Sequence, residues 1–277
     1  MKKTRKKLIR LILEVITVVF ALIYIIPVFL VLTNSFKPLG EILKSPFTFP
    51  KEFYTESIVY VFGTMNYLRA LWNTVRISIA VVILCILVSS MVGWMLTRDR
   101  SRLSKIIMAL LMASLMVPFQ SFMIPIAKLA SNMHINDSQL GYIWIQVTLY
   151  VPMGVFMYTG FVKSVPASLE EAARLDGASV YQVFFRIAFP LMKPITASIA
   201  VLYSLWIWND YMLASIMMHS ESKKTITLSI YSFFSMYNNR WDYAITAVAF
   251  SVIPISIVYV LLQKYVIAGV TAGAVKG

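Results

Sequence analysis

The sequence is poor in charged residues, cysteine and histidine, and each shortage excludes a class of protein. Charged residues make up 13% of the 277 residues, about half of what a soluble domain carries. The single cysteine, Cys85, cannot form a disulfide within the chain, and the histidines His134 and His219 lie far apart, so we expect no metal site. The phosphate-binding sequence Gly-x-x-x-x-Gly-Lys-Ser/Thr does not occur, which excludes an ATPase.

Apolar residues supply the dominant pattern of the sequence. They make up 59% of the chain, with a mean hydropathy of +0.76, and they cluster in runs of about 20 residues, the length of helix that crosses a bilayer core. Because lipid offers the backbone no hydrogen-bond partners, these runs must be helical. The sequence therefore predicts an all-α membrane protein with six transmembrane helices, over residues 11–33, 75–97, 106–127, 140–162, 195–215 and 243–263.

The net charge of +13 lies where membrane topology predicts it. Residues 1–10 carry six cations directly before the first apolar run, and sixteen cations in all fall in segments that this start places inside, against nine outside. The bias predicts a basic cytoplasmic N-terminus, a transmembrane domain over residues 11–263 and a cytoplasmic tail over residues 264–277. A nucleic-acid partner is not expected, because it would require basic residues on a folded soluble face.

The first apolar run also resembles the start of a secreted protein. The stretch from Leu11 to Leu32 is too long for the apolar region of a signal peptide, and no small-residue cleavage site follows it. We therefore expect it to remain in the protein as a transmembrane helix.

Two of the predicted loops are long enough to hold structure of their own. Residues 34–74, on the outer side, combine three prolines with several aromatic residues, which indicates a small ordered cap with interfacial helices. Residues 163–194 lie on the inner side. There, Ser168 followed by Glu171 is typical of a capping box that opens a helix, although Pro166 could open the same helix a turn earlier.

A second short helix is predicted in the same inner loop. Gly177 suits the left-handed backbone that ends the first helix, Ser179 with Gln182 forms a second capping-box pattern, and Pro190 is expected to stop the second helix. The expected apolar face of that helix consists of Val180, Val183, Phe184 and Ile187. The loop is thus predicted to be a helix–glycine–helix elbow that needs a partner groove, although a solvated connector packed on its own bundle would have the same composition.

The elbow resembles the EAA motif of binding-protein-dependent ABC importer permeases. The segment Glu171-Ala-Ala-Arg-Leu-Asp-Gly177-Ala is followed at the family's spacing by Ile187-Ala-Phe-Pro190, and it departs from the motif only at Phe189, where leucine is usual. Further similar segments are Val117-Pro-Phe-Gln, Ile124-Pro, Trp208-Asn-Asp and the ending from Gln263-Lys-Tyr to Thr271-Ala-Gly-Ala-Val-Lys-Gly277. Together they are similar to the second permease subunit of the maltose-type, sugar-importing family over the whole chain.

The resemblance implies the type I ABC importer permease fold and an assembly around it. A second permease subunit, two copies of a separate ABC ATPase and an extracellular solute-binding protein would accompany the chain, and the elbow would enter a groove on the ATPase as a coupling helix. ATP and Mg²⁺ would bind to the ATPase, so no cofactor is expected in this chain. The residues assigned to the coupling contact are Glu170, Glu171, Ala172, Ala173, Asp176, Gly177, Ala178, Ile187 and Pro190.

Two further sets of residues follow from the resemblance. The C-terminal tail would contact the ATPases through Gln263, Thr271 and Lys276, unless it is a frayed terminus. The substrate would be a sugar of the raffinose or maltose kind, moved across a bacterial cell membrane by alternating access. Aromatic and polar groups inside a span suit a sugar, although aromatic residues at a span's end also form the interfacial belt. The candidates are Gln120, Trp206, Trp208, Asn209, Asp210 and Tyr211.

Other functions stay open at this point. An ABC permease for oligopeptides, phosphate or amino acids would share the elbow, although not the sugar-type tail. An ion-coupled secondary transporter would need ion-coordinating groups near mid-membrane, and beyond Asp210 the spans supply almost none. An integral membrane enzyme would need an acid–base or metal constellation, and the sequence shows no sign of one.

Overall fold

The computed structural model describes residues 2–234 and 240–274, and for residues 2–6, 8, 262 and 264–274 it describes the backbone alone. The regular structure of these residues is helical throughout. In chain order the helices are α1 (Lys2–Asn34), α2 (Leu39–Lys44), α3 (Glu56–Thr64), α4 (Tyr67–Arg98), α5 (Arg102–Leu115), α6 (Phe119–Asn132), α7 (Gln139–Val162), α8 (Ala167–Leu175), α9 (Val180–Val183), α10 (Phe189–Leu191), α11 (Lys193–Trp208), α12 (Met212–Met217), α13 (Ile226–Ile230) and α14 (Trp241–Ala274). A π-helical turn, Phe184–Ala188, joins α9 to α10.

Six parts of the described chain are long and apolar enough to cross a bilayer. Four are single helical segments, namely Ile9–Asn34, Tyr67–Arg98, Gln139–Val162 and Trp241–Leu261. The other two are bent pairs, Arg102–Leu115 with Phe119–Asn132 and Val180–Leu191 with Lys193–Trp208. When each bent pair is counted as one span, the number of candidate spans is six, as predicted, although the second pair begins at Val180 and not at residue 195.

The third span is bent, and the prediction of an unbroken helix over residues 106–127 is wrong. Helices α5 and α6 meet at an angle of 101°, and the chain leaves the helical conformation between Met116 and Pro118. The physical reason is Pro118, which has no N–H to donate and disfavours the helical conformation at Val117.

The fifth span, expected over residues 195–215, is interrupted at Asn209 and Asp210, the polar residues that break its apolar run in the sequence. Helix α11 ends at Trp208, and α12 begins only at Met212. The carboxylate of Asp210 accepts the backbone N–H of Ala214 at 3.1 Å. A short acidic side chain competes in this way for backbone groups that a continuous helix would use.

Residues 1–67 and 230–253 form one compact unit. It contains α2 and α3, which lie in the segment for which the sequence predicted an ordered cap with interfacial helices. Helix α4 begins at Tyr67, so the transmembrane helix extends eight residues further toward this segment than the predicted start at residue 75.

Charged groups inside this unit are paired or hydrogen-bonded. Asp242, at the start of α14, is 1% exposed; it accepts the hydroxyl of Ser57 at 3.2 Å and pairs with Arg240 at 2.7 Å. Lys37 is fully buried, and its ammonium group donates to the carbonyl oxygen of Ser45 at 3.0 Å. Without such partners, each buried charge would lower the stability of the fold by roughly several kcal/mol.

Residues 68–229 and 254–277 form the second unit, and its core is built by α4, α7 and α11. A Cβ at Gly93 of α4 would lie 2.7 Å from the Cβ of Tyr158, and a Cβ at Gly154 of α7 would lie 2.7 Å from the Cβ of Ser89. Small residues thus bring α4 and α7 into close contact, as is common between membrane helices. This tight pair is the support on which the inner loop rests.

Candidate functional site

The elbow, residues 166–191, begins with a proline. Helix α8 starts at Ala167 directly after Pro166, which has φ −59° and ψ 123°. No side chain caps the helix, so the predicted Ser168–Glu171 capping box is wrong and the alternative start at Pro166 is confirmed. Proline fixes φ at a value suited to a helix start, and it places Ser168 inside the first turn, where it cannot act as the cap.

Gly177 ends α8 as predicted. Its φ is +83°, and the N–H groups of Gly177 and Ala178 donate to the carbonyl oxygens of Arg174 at 3.1 Å and Ala173 at 2.9 Å. This pair of bonds is the Schellman arrangement. A Cβ at residue 177 would meet no atom within 4 Å, so glycine is required for its backbone conformation and not for lack of space.

The second half of the elbow begins with the predicted capping box. The N–H of Gln182 donates to the hydroxyl of Ser179 at 3.3 Å, and the N–H of Ser179 donates to the Gln182 amide oxygen at 2.8 Å. Pro190 does not stop this helix, which continues to Leu191. The π-helical turn ends at Ala188, two residues before the proline, and interrupts the regular hydrogen-bond ladder there. The chain turns at Met192, where the next helix starts at an angle of 75°.

One side chain fastens the elbow to the transmembrane helices. Glu170 is 3% exposed, and its carboxylate accepts the indole N–H of Trp94 at 3.0 Å and the Nη2 of Arg98 at 2.7 Å. The same Arg98 Nη2 donates to the carbonyl oxygen of Val165 at 3.0 Å. Because Trp94 and Arg98 are on the last turns of α4, this clamp ties the first helix of the elbow to the end of a span.

The opposite side of the elbow is open. Glu171, Ala172, Asp176 and Gly177 are exposed, whereas four other residues of the predicted coupling contact, Ala173, Ala178, Ile187 and Pro190, are half-buried. Among the apolar residues, Leu175 is 89% exposed and Tyr181 is 71% exposed. Exposed acidic and apolar groups of this kind are suited to a protein partner.

The Asp210 segment, residues 209–217, lies between the end of α11 and the end of α12. The Asp210 carboxylate accepts the hydroxyl of Tyr142 at 2.6 Å and the amide N–H of Gln146 at 3.1 Å, in addition to the backbone bond that caps α12. Tyr142 and Gln146, both on α7, are buried. The carboxylate therefore links α12 to α7, and its oxygen atoms are already occupied by bonds within the chain.

The far end of α12 is held by a second aspartate. The backbone N–H of Asp137 donates to the carbonyl oxygen of Met217 at 2.8 Å, and its carboxylate accepts from the Lys223 ammonium at 2.8 Å and from the Ser220 hydroxyl at 2.5 Å. These donors, Lys223 first, lower the pKa of Asp137 well below its ordinary value.

The other candidates for a substrate path differ in how accessible they are. Trp206 is 38% exposed and stacks on Tyr203 with a centroid distance of 5.5 Å, whereas Trp208 is buried. Asn209 and Gln120 are exposed. Tyr211 is half-buried. The structure thus leaves Trp206, Asn209 and Gln120 available to a ligand.

The three residues of the predicted tail contact are described unequally. Gln263 is exposed on α14, whose backbone continues through Thr271. The Thr271 side chain and all of Lys276 lie outside the described residues.

The chain matches a model of a protein family. Residues 85–272 match the family of binding-protein-dependent transport system inner membrane components. The chain belongs to this family. The matched region includes the end of α4, the elbow and the Asp210 segment, so both parts of the candidate site lie within the family's shared architecture.

Several bacterial permease proteins are similar over almost the whole chain. The melibiose/raffinose/stachyose import permease protein MelC of Bacillus subtilis is 32% identical and aligns over 100% of both chains. The probable starch degradation products transport system permease protein AmyC of Thermoanaerobacterium thermosulfurigenes is 32% identical over 94% of both. The arabinooligosaccharides transport system permease protein AraQ of Bacillus subtilis is 31% identical over 97% of this chain and 96% of its own.

A solved structure confirms the predicted fold class. A chain of a bacterial ABC transporter involved in the import of the acidic polysaccharide alginate has a TM-score of 0.76 at 21% identity, covering 94% of this chain and 96% of that chain. At this level of identity the similarity establishes the fold, which is the all-α fold of an ABC importer permease.

Sequence reasoning missed the two residues that hold Glu170. The sequence places Arg98 in a predicted inner-side segment and gives Trp94 no particular role. They lie 72 and 76 residues before Glu170 in the chain, so no local pattern connects them to it.

Proposed function

We propose that this family member is the membrane-spanning permease subunit of an ATP-driven importer that carries an oligosaccharide into the cytoplasm. The observation that carries the proposal is the elbow, whose root is fixed by buried Glu170 while its outer face presents Glu171 and the Gly177 turn. A segment that transmits movement between two proteins must be attached firmly to its own chain and must leave one surface free for its partner. The relatives' names, which mention raffinose-type, starch-derived and arabino-oligosaccharides, support a sugar as the substrate.

The energy source in this proposal is a separate ATPase that binds ATP and Mg²⁺. Closure of two ATPase copies would draw the elbow toward the corresponding elbow of a second permease subunit. The movement would pass through α8 and the Glu170–Arg98 pair to the end of α4, and the helical bundle would change from inward- to outward-facing. Coupling of this kind requires that ATP and substrate each bind the two states with different affinity.

The residues of the elbow take two roles. The exposed residues Glu171, Ala172, Asp176 and Gly177 would contact the ATPase. Glu170 is a positioning residue, since its carboxylate is occupied by Trp94 and Arg98. The half-buried residues Ala173, Ala178, Ile187 and Pro190 would set the shape of the elbow, and the tail would add a contact through Gln263.

The orientation and the remaining partners belong to the same proposal. The excess of cations on segments 1–10, 98–105, 163–194 and 264–277 supports cytoplasmic termini. An extracellular solute-binding protein would deliver the sugar. Helix α1 supports an intramembrane partner or a lipid surface, because none of its apolar window is buried inside the chain. A sugar in transit would contact Trp206, Asn209 and Gln120. Asp210 and Trp208 would instead stabilise the packing of the helices around them.

Uptake by vesicles containing the copurified transporter tests the proposal. Labelled raffinose- and maltose-type oligosaccharides should enter in the presence of ATP, vanadate should abolish uptake, and a protonophore should leave it unchanged. Uptake that stops with the protonophore and continues with vanadate would identify a secondary transporter. ATP-driven uptake of a peptide or phosphate, with no sugar transported, would instead identify an importer of another solute.

The elbow itself is tested by two substitutions at one position. Gly177→Pro cannot adopt φ of +83°, because proline fixes φ near −65°; we expect normal insertion and loss of more than about tenfold in ATP-driven uptake. Gly177→Asn is the matched control, since asparagine tolerates the left-handed conformation, and it should retain most of the uptake. Equal uptake by the two variants would contradict the role given to the elbow.

A further inference from the structure

The end of α4 borders a cavity that the transport mechanism does not use. Its volume is about 710 Å³, and residues of α4, of α5 and of the end of α7 line it. All of the lining residues belong to the second compact unit. Because α4 ends a membrane span there and α5 begins the next, the cavity lies at the level of one membrane face.

The polar part of the lining is strongly cationic. It contains Arg98, Arg100, Lys105 and Lys163, and one acid, Asp99. Arg98 is engaged by Glu170, whereas Arg100, Lys105 and Lys163 are exposed and make no ion pair with any residue that the structure describes. The cavity therefore holds an excess of positive charge that no described group of this chain neutralises.

The single acid in the lining does not balance these cations. The carboxylate of Asp99 accepts the hydroxyls of Ser101 at 2.7 Å and Ser104 at 2.6 Å, and these hydrogen bonds, that of Ser104 first, lower its pKa. Asp99 thus serves the turn that begins α5. It lies on the α4–α5 turn, and its oxygen atoms are directed at the two serines rather than at the lysines.

Three neutral polar residues, Thr97, Ser104 and Thr159, also line the cavity, and the rest of the lining is apolar. Leu96 of α4 and Met108, Ala109 and Met112 of α5 contribute it, and residues 108, 109 and 112 follow one another along one side of α5 into the span. A cationic rim at a membrane face above an apolar helix surface matches the two parts of a phospholipid, an anionic headgroup and its acyl chains. A soluble anion would use only the rim.

We propose that this cavity binds an anionic phospholipid, with its phosphate held by Arg100, Lys105 and Lys163 and an acyl chain lying along Met108, Ala109 and Met112. The site is independent of which sugar is transported. With the orientation given under the proposed function, the lipid would lie in the cytoplasmic leaflet, and only this point rests on that proposal. Because Arg98 belongs both to the lining and to the Glu170 clamp, a bound lipid would lie beside the root of the elbow.

Native mass spectrometry of the assembled transporter, purified from membranes and delipidated stepwise, tests the site. Phosphatidylglycerol and phosphatidylcholine with the same acyl chains are then added back in separate titrations. We expect phosphatidylglycerol to be retained at this chain, and the variant Lys105→Gln/Lys163→Gln to bind it about thirtyfold more weakly, because each cation near a membrane surface contributes roughly fivefold to the attraction of an anionic lipid. The control Lys128→Gln removes an exposed lysine that does not line the cavity and should bind like the unmodified chain.

A second variant separates the lipid from a free anion. Ala109→Trp fills the apolar part and leaves every cation in place, so it should also release phosphatidylglycerol. Equal binding of the two lipids, unchanged binding by the double lysine variant, or unchanged binding by Ala109→Trp would overturn the proposal. Displacement of the lipid by millimolar inorganic phosphate would overturn it as well, because the site would then be one for a soluble anion. None of these outcomes depends on sugar uptake, so the proposed function stands or fails separately.

Discussion

The elbow and the Asp210 segment both contain an inward-facing carboxylate, and they differ in what remains for a partner. In the elbow, Glu170 is buried in the clamp while its neighbour Glu171 remains exposed. In the Asp210 segment, the only acid is itself bound by Tyr142 and Gln146. The difference teaches that an acidic residue in this chain indicates a binding surface only where another acid already makes the contacts that hold the fold together. Glu170 does this beside Glu171, whereas Asp210 has no such neighbour in its segment.

The largest expected effect is a loss of stability when Asp210 is replaced. Asp210→Ala removes the acceptor of two α7 side chains and of the α12 backbone, and it leaves the buried Tyr142 hydroxyl and Gln146 amide without their partner. We expect a loss of stability of about 3 kcal/mol, measured by thermal unfolding in detergent. The control Asn209→Ala removes an exposed amide bonded only to the carbonyl oxygen of Leu205 in its own helix, and should change stability by less than about 0.5 kcal/mol.

The alternative assignment of Asp210 makes a different prediction. A substrate-binding carboxylate could be removed with little loss of stability and with a large loss of sugar uptake. A stable, inactive Asp210→Ala protein would therefore place Asp210 in the transport path and end the contrast between the two regions.

The second largest expected effect distinguishes the roles of the two adjacent acids of the elbow, Glu170 and Glu171. Glu170→Ala leaves Arg98 and the Trp94 indole N–H without their acceptor, and should destabilise the attachment of the elbow by about 2 kcal/mol. Amide hydrogen exchange over residues 166–191 should then accelerate. Glu171→Ala is the matched control, because its side chain is exposed and should leave exchange unchanged. Equal protection in the two variants would mean that the clamp does not hold the elbow.

The smallest effect concerns the far end of α12. Because the pKa of Asp137 is lowered in the folded protein, its contribution to stability is complete above the ordinary aspartate pKa of about 3.9 and is lost only as the pH falls through the lower folded value. Between pH 8 and pH 5, the difference in melting temperature between the unmodified chain and Asp137→Asn should stay constant. Below about pH 4 the difference should shrink. A difference that already falls near pH 6 would show that Asp137 is not held as the structure indicates.

Local features of the fold were predictable because neighbouring residues determine them. The glycine at the end of α8 and the capping box at Ser179 follow from residues within a few positions of each other. The start of α8 was not resolved, since Pro166 and Ser168 both carry a helix-start signal and the proline, which comes first, prevails. The bend at Pro118 was foreseeable from the proline, but the length of the apolar run around it favoured an unbroken span.

The roles of the acids were not predictable, because they depend on residues far along the chain. Asp210 was selected as a substrate residue because an intramembrane acid is costly, and its partner Tyr142 lies 68 residues earlier. Glu170 was grouped with Glu171 because only the packing of α8 on α4 distinguishes them. The hydropathy of the sequence predicts which helices lie in the bilayer. Contacts between distant residues, such as that of Asp210 with Tyr142, can be identified only from the tertiary structure.

Binding of the purified ATPase subunit to vesicles that contain the permease is the most direct test of the elbow as the mechanical joint. Glu171→Ala should weaken that binding by at least about tenfold, while thermal unfolding and hydrogen exchange of the elbow stay unchanged. Unaltered ATPase affinity for Glu171→Ala and for Gly177→Pro would contradict the account, because the outer face of the elbow would then have no partner.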